Sequence, residues 1–109
     1  MNRDELAAAL FSTAQRRAAA HGMQFGQGAD GDIRRFADTG ADRILSQNPE
    51  ATRGHPTVMA AHVAFETLVD EMIRAANEIE GYHAAYPMTI GEQTLARALS
   101  KLCPLFPIC

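Results

Sequence analysis

Three side chains that could bind a metal ion recur at a regular spacing in the middle of the chain: His62, Glu66 and Asp70. On a helix, residues four apart lie on the same side, so this row would present one imidazole and two carboxylates together. Imidazoles and carboxylates are ligands for zinc and related divalent metals. The competing interpretation is a solvated rim, in which His62 borders the core and Asp70 pairs with Arg74. We favour the rim, and we expect no metal and no cofactor.

Two further patterns resemble catalytic arrangements but lack the companions that the chemistry needs. Glu80 and His83 form one Glu-x-x-His pair, whereas di-iron bundles use two such pairs and two further inward-facing glutamates. Cys103 with a histidine could act as a nucleophile, but the C-terminal end of a helix disfavours the thiolate. We therefore expect Cys103 and Cys109 to be reduced thiols without a catalytic role.

Arginine pairs provide the candidate sites for binding anions. Arg16 and Arg17 lie on the first predicted helix, and Arg34, Arg35 and Arg43 lie on the second. A nucleic-acid surface would require these arginines to share one face without neutralising acids. The net charge of −3 and the pI near 5.7 argue against a general nucleic-acid binder. We expect the arginines to pair with carboxylates of this chain or of a partner protein.

Length and composition favour one helical domain. The 109 residues fit a single domain spanning 1–109. Alanine is abundant and tryptophan is absent, which favours helices over strands. No apolar run approaches the roughly 20 residues of a transmembrane helix, and the LAAALF segment follows acidic rather than basic residues, unlike a signal peptide. We expect an all-α, cytoplasmic protein without a membrane partner.

Helical periodicity predicts an up-down bundle of four helices followed by an apolar C-terminal tail. The predicted helices are at about 3–21, 30–47, 56–80 and 90–103. The longest has an apolar stripe wide enough for two neighbours, so we expect it to be the central helix. This stripe includes Val58, Ala61, Phe65, Leu68, Met72, Ala75 and Ile79.

Helix boundaries and one buried glycine are also predicted. Asn2 and Asp30 are candidate N-caps of the first two helices. Thr89 and Glu92 match a capping box at the start of the fourth. Gly40 falls on the apolar stripe of the second helix, where a residue without a side chain would allow a close helix crossing.

The function favoured by these patterns is binding to another protein, as an adaptor, regulator or inhibitor, or binding to a second copy of the chain. The wide stripe of the longest helix supports it. So does the tail, in which Leu105, Phe106 and Ile108 need cover from water. The alternative is a metal- or ligand-binding bundle or small enzyme that uses His62, Glu66 and His83. Such a site predicts a concave pocket with shifted pKa values, whereas an interaction module predicts an exposed apolar patch.

Overall fold

The computed structural model describes residues 1–79 and 88–102. In chain order they form α1 (Arg3–Ala20), β1 (Met23–Phe25), α2 (Gln27–Gln47), α3 (Pro56–Ile79), β2 (Met88–Ile90) and α4 (Glu92–Leu102). The prediction of a mostly helical chain with four helices is therefore confirmed, and the two short strands were not predicted. None of the helices in these ranges combines the length and apolar character that a membrane crossing requires.

The first helix begins and ends at residues whose chemistry suits those positions. The Asn2 side chain accepts a hydrogen bond from the Glu5 N–H at 2.8 Å and donates one to the Glu5 carboxylate at 2.9 Å. Asn2 is thus the predicted N-cap. After the helix, Gly22 has φ 71°, a left-handed conformation that glycine adopts without a steric cost. The chain can therefore reverse directly into β1.

The two strands pair in parallel, with Met23 opposite Met88 and Phe25 opposite Ile90. Met23 is buried, so β1 contributes to the core as well as to the strand pair. Because β1 follows α1 and β2 precedes α4, the pair fixes where α4 begins relative to α1.

The capping box predicted at the start of α4 is wrong. Thr89 lies within β2, and the helix begins at Glu92 after Gly91. The Gly91 carbonyl accepts the Leu95 N–H at 3.1 Å, the first bond of the helix. Pairing with β1 holds Thr89 in extended backbone, so a distant contact overrides the local capping signal.

The second helix begins at Gln27, earlier than predicted, and Asp30 is not its N-cap. Gly26 takes that position, and its carbonyl accepts the Asp30 N–H at 2.8 Å. Asp30 instead lies in the first turn, where its carboxylate interacts favourably with the helix dipole. Ala29 is completely buried, and this burial favours a helical turn that glycine at position 28 disfavours.

The helices pack in the order α2, α1, α3, α4. The first helix contacts both α2 and α3 extensively, α3 also contacts α4, and α2 touches α3 only slightly. The prediction that the longest helix is the single centre is therefore wrong: α1 and α3 share that position. One direct contact between α2 and α3 is the Phe36–Phe65 ring pair, with centroids 5.4 Å apart.

Contacts between α1 and α2 show that these helices are antiparallel. Arg3, at the start of α1, donates to Asp42 near the end of α2 at 3.0 Å. Further along α1, the ring of Phe11 lies 4.1 Å from the guanidinium of Arg34 in the first half of α2. Later residues of α1 therefore meet earlier residues of α2.

The apolar stripe predicted for α3 lies in the core. On α3 the buried members include Val58, Ala61, Phe65, Leu68, Met72 and Ala75. Gly40 is buried in α2, as predicted; the close helix crossing remains a prediction. Every buried side-chain nitrogen and oxygen in the described part of the chain has a hydrogen-bond partner.

Candidate functional site

Charged side chains join α1 to α3 along one edge of their interface. Arg17 donates two hydrogen bonds to the Asp70 carboxylate, at 2.8 and 2.9 Å, in the bidentate geometry that favours arginine. Its guanidinium also lies 3.5 Å from Glu66, and His21 lies 3.5 Å from Asp70. With Thr13 contacting His62 one turn earlier, later residues of α1 meet later residues of α3. The two helices therefore run parallel.

The Thr13 hydroxyl of α1 contacts the imidazole of His62 on α3. The Thr13 hydroxyl lies 3.0 Å from the Ala9 carbonyl and 2.6 Å from His62 Nδ1. The single hydroxyl proton goes either to the Ala9 carbonyl, in which case Nδ1 donates its own proton to the hydroxyl oxygen, or to Nδ1, in which case the neutral ring is protonated at Nε2. Arg16 adds a long hydrogen bond to the same hydroxyl, at 3.4 Å.

The surroundings shift the pKa values of three of these groups. Partial burial, with a contribution from Arg16, holds the pKa of His62 below its ordinary value of 6.5, and Glu66 opposes this shift. The hydrogen bonds from Arg17 lower the pKa of Asp70, while partial burial opposes that change. The same contact raises the pKa of Arg17. At neutral pH the edge therefore holds an ionised Arg17–Asp70 pair beside a neutral His62.

The row predicted as possible metal ligands is engaged in other contacts. His62 bonds Thr13, while Glu66 and Asp70 face Arg17. Across the described residues, no group of three or more histidine, cysteine, aspartate or glutamate side chains is placed to hold a metal ion. The expected Asp70–Arg74 pair is also replaced, since Arg74 bonds Glu71 at 2.6 Å.

An open depression of about 440 Å³ lies over this edge, lined by Thr13, Arg16, Arg17, Ala20, His62 and Glu66. A hydrolytic centre would need a nucleophile activated by the imidazole. The hydroxyl that contacts His62 belongs to Thr13, a buried residue that also contacts the Ala9 carbonyl of its own helix. The depression therefore presents a polar, charged surface next to the half-buried His62.

The two predicted arginine pairs lie apart and are mostly neutralised. Arg34 bonds Asp30 at 2.9 Å and covers the Phe11 ring, and Arg35 pairs with Asp32. Arg17 is paired with Asp70 across the α1–α3 interface. The condition set for a nucleic-acid surface, arginines on one face without neutralising acids, is therefore not met by these side chains.

Several predicted site residues lie outside the described ranges 1–79 and 88–102. These are Glu80, His83, Cys103, Leu105, Phe106, Ile108 and Cys109. Their proposed roles in metal binding, nucleophilic chemistry and interaction remain predictions.

The outer side of α3 carries an exposed apolar surface that the sequence analysis did not identify. Among the described residues, Met59 and Val63 are the large apolar side chains left exposed, at 58% and 61%. They lie one turn apart, and Pro56 and Ala60 beside them are also exposed. We call Pro56, Met59, Ala60 and Val63 the outer patch. Glu66, which lines the depression, lies one turn beyond it on the same helix.

A signal for the outer patch was present in the sequence. The charged residues assigned to the outer side of α3 begin only at Glu66, so the first ten residues of the helix have no charged outer face. A surface helix normally alternates an apolar stripe with a polar one along its whole length. The missing polar stripe in this half of α3 therefore indicated a second apolar face.

Comparisons of the chain with protein-family models, with curated proteins and with solved structures found no match.

Proposed function

We propose that the protein is a single-domain, cytoplasmic helical module that binds another protein, or a second copy of itself, through the outer patch. The observation that supports this most is the exposure of Met59 and Val63 next to each other on the longest helix. Burial of apolar surface against a partner contributes roughly 25 cal/mol per Å² removed from water. Two adjacent side chains of this size can therefore anchor a small interface.

The surroundings of the outer patch match the anatomy of a binding surface. Protein interfaces combine an apolar centre with a polar rim that remains in contact with water. Glu66 and Arg16 supply charges on the α1 side, and both line the depression at the α1–α3 edge. Arg16 has no carboxylate within 4 Å among the described residues, so it can pair with an acidic side chain of the partner.

We also propose that the four helices complete an up-down arrangement, in which α4 runs antiparallel to α3. The support is indirect. The strand pair places the start of α4 near the end of α1. Because α1 and α3 run parallel, α3 ends on the same side of the molecule. In that arrangement α4 returns along α3 toward the half that carries the outer patch.

A comparative capture experiment tests the proposed function. Wild-type protein, Val63→Glu and Ala96→Glu are immobilised, and proteins bound from a lysate of the native host are quantified by mass spectrometry. Ala96 is an exposed alanine of α4 and so provides a matched control. We expect a bound protein, or the chain itself, to be captured by wild type and Ala96→Glu but not by Val63→Glu. The same capture profile for all three proteins would contradict the proposal.

A further inference from the structure

We propose that the outer patch binds a second copy of this chain, with the two α3 helices antiparallel across a two-fold axis. This inference rests on the proposed function, because it takes the outer patch to be an interface. A two-fold contact uses the same surface on both copies, so that surface must complement itself. The outer patch and the charges on either side of it meet that requirement.

The apolar residues complement themselves when the axis passes midway between Met59 and Val63. Met59 of each copy then lies beside Val63 of the other, and both exposed side chains are buried at once. Ala60 and Pro56 carry little bulk at the exposed surface. Small residues at a helix contact allow the axes to approach to the usual 8–10 Å.

The same register brings opposite charges together. With Met59 level with Val63 of the second copy, Pro56 is level with Glu66 of the second copy, because each is three residues further from the axis. Arg53 lies just before Pro56, at an exposed turn where the His55 N–H bonds the Thr52 carbonyl at 3.0 Å. A turn of this kind keeps its first and last Cα atoms within about 7 Å, so the offset between Arg53 and Pro56 is within reach of an arginine side chain.

Within the part of the chain that the structure describes, neither Glu66 nor Arg53 makes a strong ion pair, so both can pair across the interface. Glu66 is 42% exposed, and its contact with Arg17 is long, at 3.5 Å, because Arg17 is already bidentate on Asp70. The Glu66 carboxylate is therefore only weakly bound by Arg17 and can pair with a cation of a second copy. Among the described residues, no carboxylate lies within 4 Å of Arg53. The two-fold axis forms the Arg53–Glu66 contact twice.

Charge also favours the antiparallel direction over the parallel one. Arg53 precedes the outer patch and Glu66 follows it. A parallel pair would place each charge beside its equal, whereas an antiparallel pair places each beside its opposite. Electrostatic complementarity of this kind determines the register and excludes wrong partners. A single pair of helices buries less than the roughly 1,200 Å² typical of stable complexes, so we expect a weak dimer in rapid exchange with monomer.

Sedimentation velocity of the full chain, from low micromolar to millimolar concentration, tests the inference. We expect wild type and Ala96→Glu to sediment as dimer at the upper end and Val63→Glu to remain monomeric. Arg53→Glu and Glu66→Arg should each weaken the dimer about tenfold or more, which corresponds to about 1.4 kcal/mol. The double variant Arg53→Glu/Glu66→Arg should restore it. Circular dichroism verifies that every variant is folded.

The outcomes separate this inference from the proposed function. A monomeric wild type at millimolar concentration, with capture of another protein lost in Val63→Glu, would overturn the homodimer and leave the outer patch as an interface. A monomer whose capture profile is unchanged by Val63→Glu would overturn both. A dimer that persists in Val63→Glu would place the interface elsewhere. A dimer lost in Val63→Glu but not restored by the double charge exchange would overturn the antiparallel register.

Discussion

The inner and outer faces of α3 are both apolar in the first half of the helix, yet they have different surroundings. The inner face, with Val58, Ala61 and Phe65, is buried by other parts of the chain. The outer face, with Met59 and Val63, is exposed to water. Across the residues that the structure describes, apolar character along α3 therefore exceeds what the fold covers, and the excess lies in the half that precedes Glu66. We interpret this excess as surface that a partner covers.

Charged residues occupy the outer side of α3 from Glu66 onward, about one turn beyond Val63. From Glu66 onward, the carboxylates on the α1 side pair with Arg17, and Glu71 pairs with Arg74. Because these ion pairs form within the chain, the outer side of this half of α3 is already suited to water and does not require cover by a partner. Changes to the inner face, to the edge and to the outer face should therefore affect different properties.

The largest effect should come from the inner face. Phe65→Ala removes a completely buried ring that also packs against Phe36. Deleting a buried aromatic side chain costs about 3–5 kcal/mol of unfolding free energy. Denaturant unfolding followed by circular dichroism measures this loss. A loss below about 1 kcal/mol would show that the inner face of α3 is not the core.

A pair of glycine substitutions extends the comparison of buried and exposed positions to α2. Gly40 is buried, and Gly40→Leu should overpack its surroundings and cost about 1–3 kcal/mol. Gly31 lies in the same helix, but a Cβ added there meets nothing within 4 Å. Gly31→Ala should therefore stabilise by about 0.5–1 kcal/mol. Equal melting temperatures for Gly40→Leu and wild type would contradict the close packing inferred at Gly40.

A smaller effect is expected at the edge between the two faces, where His62 lies. Its pKa is lowered in the folded chain, so the unfolded chain binds the proton more readily. The stabilising contribution is complete above the ordinary pKa of 6.5 and decreases as the pH falls from there toward the lowered value. His62→Gln should reduce the pH dependence of unfolding free energy in this window, measured by denaturant titrations at several pH values. If the unfolding free energy of His62→Gln depended on pH as strongly as that of wild type, His62 would not be the group responsible.

The smallest effect on stability should come from the outer face. Val63→Glu replaces an exposed side chain, and such changes usually alter unfolding free energy by no more than about 0.5 kcal/mol. Denaturant unfolding of the dilute protein measures it beside Ala96→Glu. A small loss of stability would separate the two faces of α3, because the same Val63→Glu variant is expected to abolish binding. A loss of several kcal/mol would mean that Val63 supports the fold instead.

Features that depend on neighbouring residues were predictable from the sequence. Local spacing and capping chemistry predicted the buried stripe of α3, the N-cap at Asn2 and the helix start at Pro56. The strand pair was not predictable in this way, because Met23–Phe25 and Met88–Ile90 are far apart in the chain and each is too short to show a period. The two caps that were predicted wrongly have similar long-range causes. Burial of Ala29 moves the start of α2 ahead of Asp30, and pairing with β1 holds Thr89 in a strand.

The candidate site was predictable in its members but not in its contacts. Spacing within α3 identified His62, Glu66 and Asp70, which do lie on one edge of the helix. It could not show that α1 runs parallel beside them, so Asp70 was assigned to Arg74 rather than to Arg17. Which side of a helix faces a neighbour depends on packing between distant segments, and one sequence does not encode that as a local pattern.

Photo-cross-linking in the native host tests the central claim most directly. A photoreactive amino acid is placed at position 59 or 63 of the outer patch, or at the exposed control positions Ala19 and Ala96. Illumination and mass spectrometry then identify covalent adducts. The proposed function predicts a discrete adduct, with another protein or with a second copy, from positions 59 and 63 and not from 19 and 96. Equal adducts from all four positions, or none from 59 and 63, would contradict it.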